Sequence, residues 1–121
     1  MTAKDIMAAL NKLEAPKSNL GYMYSIDALL LFQEDVSYFN KITALYGVIG
    51  AKHHSTASRV ERAIRHEVEL IFTNRNLKAI EEIFGTYRKN DKIPNKEFLV
   101  SLYYYIYYNM EGNTDDSDQN C

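Results

Sequence analysis

The chain has one cysteine in 121 residues, and that one, Cys121, is the last residue. No internal disulfide can staple the fold, and a chain that does without cross-links suits a reducing compartment, which makes the cytoplasm the expected location. Long apolar runs are also lacking. None approaches the roughly 20 residues that a membrane helix needs, so no membrane partner is expected. The amphipathic N-terminal stretch Thr2–Leu13 does not have the basic-then-apolar order of an export signal. There is no glycine-rich phosphate loop, no nucleophile elbow, and no carboxylate pair that stands apart from ordinary helix surface. An enzyme is therefore not expected, and neither is a cofactor. His53, His54 and His66 have no cysteine near them and no second ligand pair at zinc-like spacing, so no metal is expected. A basic excess, the usual mark of a nucleic-acid binder, is missing as well: the formal net charge is −2.

What is present fits one soluble domain. Apolar residues make up 46% and charged residues 25%, ordinary values for a globular chain long enough to bury a single core. The charge is unevenly spread. The end of the chain, Glu111–Cys121, holds Glu111, Asp115, Asp116 and Asp118 and no base, so without it 14 basic residues face 12 acidic ones. We expect a domain over residues 1–110 and an acidic disordered tail over 111–121. Between Lys52 and His66, Lys52, Arg59, Arg62 and Arg65 stand against Glu61 alone, a local excess of three positive charges with all three histidines in the same window. Such a cluster is the electrostatic footprint of phosphate binding.

The apolar spacing is helical almost throughout. Thr2 and Asp5 read as a capping box ahead of a helix with Ile6, Leu10 and Leu13 on one face. A second helix is expected from about Tyr22 to Glu34, and a third from about Tyr38 to His53 with Ile42, Leu45, Tyr46 and Ile49 inward. Thr56 caps a fourth, which reaches Thr73 or Asn74. A fifth spans about Leu77–Phe84. After a loop over Gly85–Pro94, Asn95 caps a sixth that carries Phe98, Leu99, Leu102 and Ile106. No strand alternation is convincing and no internal repeat is visible. The fold class is all-α: six helices, the third and fourth forming a helix-turn-helix.

On a wheel of about 100° per residue, Ala57, Val60, Ile64, Val68 and Ile71 of the fourth helix share one apolar sector. Opposite them lies Arg62, flanked by Ser58, Arg65 and Glu69, with Arg59 and His66 to one side and Glu61 to the other. A helix fits the major groove, where a forked arginine can take guanine O6 and N7 and a carboxylate can accept from cytosine N4. A solvated, charged helix face would have the same periodicity.

The run TASRVERAIRH at Thr56–His66, with GYMY at Gly21–Tyr24 and ITALY at Ile42–Tyr46, resembles the family of C-terminal effector domains of stage zero sporulation protein A, the regulator of bacterial endospore formation. The resemblance covers about Ile6 to Ile106. It implies a six-helix domain that regulates transcription by binding double-stranded DNA, head-to-tail dimers lying on tandem promoter boxes. Carried over by position, Arg62 and Glu61 are base readers, and Lys52, Thr56, Ser58, Arg59, Arg65 and His66 complete the DNA-binding set. The family's receiver domain is not in this sequence, and a stand-alone effector is expected. The supporting helix departs from the family pattern: Gly47 and Gly50 stand in place of a proline and an alanine, Val48 replaces an acidic residue, and His53 and His54 replace an aromatic and an amide.

The run Tyr103–Tyr108 (YYYIYY) is the least usual feature. Outward tyrosines among Tyr103, Tyr104, Tyr107 and Tyr108 would make a protein interface, whereas inward ones would simply widen the core face. The alternative function is accordingly an interaction protein that keeps the fold and acts through this helix on a full-length regulator or RNA polymerase.

Overall fold

The computed structural model describes residues 1–74, 76–85 and 93–119, with side chains described as far as residue 110. Every regular element among them is helical. Thr2 opens the first helix, α1 (Ala3–Lys12), through the expected capping box: its hydroxyl accepts the Asp5 amide at 3.4 Å, and the Asp5 carboxylate accepts the Thr2 amide at 2.6 Å. The helix closes where Glu14 turns left-handed (φ 58°), with the Ala15 N–H donating to the Leu10 carbonyl at 3.0 Å and the Glu14 N–H to Asn11 at 2.9 Å.

The second helix, α2 (Leu20–Glu34), starts two residues before the expected position. The expected single helix over Tyr38–His53 is in fact two elements. The Asp35 carboxylate accepts the Ser37 amide at 3.0 Å and starts a 3-10 turn, Val36–Asn40; the backbone then breaks at Lys41 before α3 (Ile42–Lys52). The cause is tertiary. The Phe39 ring is 4.7 Å from that of Phe32 and 5.6 Å from that of Tyr103, which pins the turn to the core.

Beyond α3 come α4 (Ala57–Asn74) and α5 (Leu77–Phe84). Asn76 caps α5 by accepting the Ala79 amide at 3.3 Å, and Gly85 ends it at φ 82°. Residues 86–92 of the loop expected over Gly85–Pro94 lie outside the described residues. The last helix, α6, spans Asn95–Gln119, so the division expected between residues 110 and 111 falls inside its range. Asn95 is its first residue and not its cap; the side chain donates instead to the Glu61 carbonyl at 2.9 Å.

The core forms around α2, which packs against α1, α3, α4 and α6. The expected stripes supply it: Ile6, Leu10 and Leu13 from α1 and the residues after it, Leu45 and Ile49 from α3, Val60, Ile64 and Ile71 from α4, and Phe98, Leu99 and Leu102 from α6. Where α2 crosses α4 the backbones nearly touch. A Cβ on Gly21 would lie 2.2 Å from the Ala63 carbonyl oxygen, so only glycine fits. The helix bearing the arginines is thus held directly against the centre of the domain.

Candidate nucleic-acid interface

The turn between α3 and α4 is built from backbone hydrogen bonds. The Ser55 N–H donates to the Gly50 carbonyl at 2.7 Å and the His54 N–H to Ala51 at 3.4 Å, while His54 adopts a left-handed φ of 55°. Reversal this tight brings Thr56 over Gly50. A Cβ on Gly50 would be 2.9 Å from the Thr56 carbonyl carbon, which gives the glycine here a steric reason. Thr56 then starts α4 as expected: its hydroxyl accepts the Arg59 amide at 3.2 Å and its carbonyl the Val60 amide at 3.0 Å.

The face of α4 divides as its wheel predicts. Val60, Ile64, Val68 and Ile71 are buried, whereas Ser58, Arg59, Arg62, Arg65 and His66 are exposed and Glu61 is half-exposed. Arg62, Arg65 and His66 share an open groove with Asn19 and Glu69. The charges are less free than their count suggests. The Arg65 guanidinium meets the Glu61 carboxylate at 2.9 Å, one turn back on the same helix. Lys52 Nζ donates to Asp27 Oδ1 at 3.0 Å, and His53 Nε2 lies 2.5 Å from Asp27 Oδ2. Arg59 and Arg62 make no ion pair with any described residue, so they are the cations presented outright.

Three positioning groups escaped the sequence reading. Asp27 on α2 is buried, and it ties down the end of α3 from 25 positions away. No spacing rule joins it to Lys52. Asn95 anchors the first turns of α4 through the Glu61 carbonyl, across a similar gap. Glu67 is different, because a signal was available: it lies three residues after Ile64 and four before Ile71, within the apolar stripe. It is fully buried at the crossing with α2, and Asn19 Nδ2 donates to its Oε1 at 2.8 Å. Its Oε2 has no partner among the described residues. Burial pushes this carboxyl up from the ordinary 4.5 to about 7, with the Asn19 hydrogen bond opposing.

The tyrosine run divides by side. Tyr103 is a core residue edge-on to Phe32 and Phe39, which removes it from the interface expected of this helix. Its phenol is pushed up by burial and by the neighbouring Tyr107 and Tyr104 hydroxyls. Tyr105 is half-buried, with its hydroxyl between Lys12 and Glu82. Tyr104, Tyr107 and Tyr108 are exposed, and Tyr104 and Tyr108 stack at 5.7 Å. Among the described residues no three histidine, cysteine, aspartate or glutamate side chains converge as a metal site.

The described residues thus form an all-helical domain that presents an arginine-bearing helix beyond a tight turn. No helix among the described residues is long and apolar enough to cross a membrane. A family model described as Sporulation initiation factor Spo0A C terminal matches residues 6–106, most of the chain. The chain belongs to that family, which is one of DNA-binding sporulation regulators and not of enzymes.

Proposed function

We propose that this protein regulates transcription by laying the N-terminal half of α4 in the major groove, with α3, the turn at residues 53–56 and α4 as its helix-turn-helix. The carrying observation is Arg62: it is exposed at the centre of the α4 outer face and has no ion-pair partner among the described residues. Its guanidinium is therefore free to offer two parallel donors to guanine. Ser58, Arg59, Arg65 and His66 surround it, Glu61 is held against Arg65, and the Thr56 cap fixes where the helix begins. Base contacts specify and phosphate contacts position, so Arg62 is the discriminating residue and Lys52 and Arg59 are backbone contacts. Promoter boxes in tandem, occupied by head-to-tail copies, are the arrangement the family resemblance supports.

The test is to select duplexes from a randomised library with the wild-type protein, then titrate the winner and a base-scrambled duplex by anisotropy at two salt concentrations. Arg62→Ala should lose about 1–3 kcal/mol of discrimination at one base pair, with its affinity for the scrambled duplex little changed. If wild type and Arg62→Ala bind both duplexes equally weakly, the reading fails. The interaction-protein alternative would then rest on the exposed Tyr104, Tyr107 and Tyr108.

A further inference from the structure

The contact between Lys52 and Asp27 bears on how strongly the domain holds any DNA. Lys52 is the last residue of α3, adjoining the turn that leads into α4, and its side chain is 63% exposed. Asp27 lies beneath it on α2 with its carboxylate 11% exposed, one oxygen 3.0 Å from Lys52 Nζ and the other 2.5 Å from His53 Nε2. The His53 ring also stacks obliquely on Tyr24, at 5.4 Å between centroids, so α2 grips the end of α3 by charge and by ring contact together. A lysine joined to a carboxylate at this distance acts outward as a dipole and not as a full positive charge. Affinity for the DNA backbone depends on how many phosphates a protein neutralises with unit cations, each adding about 0.9 to the salt slope. By that measure Lys52 counts for much less than its exposure suggests.

We infer that Asp27 attenuates sequence-independent DNA binding by holding Lys52 in an ion pair at the turn. The inference rests on the DNA-binding reading above and adds a residue outside the contact set. Attenuation acts on scrambled and selected duplexes alike, because every duplex offers the same phosphates, whereas Arg62 acts on their difference. Isolated contacts are thereby kept weak, and base readout contributes a larger share of the affinity.

Asp27→Asn isolates the charge. The amide keeps the shape of the carboxylate: its oxygen can accept from Lys52 Nζ, and its NH2 can donate to Nε2 of a neutral His53. The 121-residue wild type, Asp27→Asn, Lys52→Ala and the double variant are titrated by anisotropy against the selected and the scrambled duplex between 50 and 200 mM salt, with thermal melts to verify folding. Asp27→Asn is expected to bind both duplexes several-fold more tightly at 50 mM. Its salt slope should be steeper by about 0.9, so that about three-fold of the gain is lost by 200 mM. Lys52→Ala should weaken both duplexes alike, by less than Asp27→Asn strengthens them, and should abolish the gain in the double variant. Equal or weaker binding by Asp27→Asn, or a gain that survives Lys52→Ala, overturns the inference. In either case, preference for the selected duplex in the wild type and its loss in Arg62→Ala leave the DNA-binding reading standing. If the wild type enriches no sequence yet binds duplexes, the base-reading proposal falls while the comparison on the scrambled duplex still decides the attenuation; if it binds no duplex, both fall.

Discussion

At the scale of single residues, Glu67 carries the sharpest pH dependence. In the unfolded chain its carboxyl ionises near 4.5, and in the fold, where burial disfavours the anion, near 7. Below pH 4.5 both states hold the proton and the group costs nothing. Between 4.5 and 7 the folded state binds more protons than the unfolded one, so stability falls as pH rises, by roughly 3 kcal/mol in total, and then levels off. Urea midpoints for the wild type should therefore drop from pH 5 to pH 8 by more than those for Glu67→Gln, which keeps an oxygen for Asn19 and carries no charge. Identical slopes in the two proteins would refute this. Arg62 belongs at the same scale and was legible in the sequence, because its position opposite the apolar stripe follows from helix geometry alone. Asp27 was not, since its partners lie 25 and 26 positions along the chain and meet it through the packing of α2 on α3.

Among the elements, α3 contains two glycines whose replacement should act in opposite directions. Gly47 has open space where a Cβ would be, so Gly47→Ala should stabilise the helix by roughly 0.5–1 kcal/mol through reduced chain entropy. Gly50 underlies the turn, and its Cβ would come 2.9 Å from the backbone of Thr56; Gly50→Ala should destabilise by about 1–3 kcal/mol and shift α4 relative to α3. Thermal melts of the two variants check the signs, and a stabilised Gly50→Ala protein would contradict the turn geometry. In sequence nothing local distinguishes the two, since helix propensity assigns each the same cost inside α3. The difference lies in where the chain goes next, which propensity does not encode. The break at Lys41 teaches the same lesson: periodicity joined the 3-10 turn to α3, and the ring of Phe39 seated against Phe32 and Tyr103 separates them. By contrast, α5 was read to its limits, its end marked by Gly85; the structure adds that Asn76 caps its start.

For the whole molecule, net charge and its placement govern long-range attraction to DNA. Removing residues 111–121 changes the formal net charge from −2 to +2, with 14 basic residues then facing 12 acidic ones. We expect the shortened protein to bind any duplex more tightly at 10–50 mM salt, where charges are felt over about 15–30 Å, and to match the full chain near 1 M, where the range is about 3 Å. Anisotropy titrations across that range are the measurement; a gain that persists at high salt would point to a contact and not to the field. This effect is separable from that of Asp27, which works through one lysine and disappears with it.

The sequence by itself determined that this is an all-helical domain of the sporulation-regulator family, which positions face inward on α1, α4 and α6, and that Thr56 begins α4. Those features are repeats of 3.6 residues or hydrogen bonds spanning three, and information of that range is written along the chain. Tertiary structure alone decided that Lys52 meets Asp27, that Asn95 anchors α4 instead of capping α6, that Tyr103 is core, and that Gly50 has no room for a methyl group. Each is a contact between residues whose separation in sequence has no fixed relation to their separation in space, so it exists only once the helices have packed.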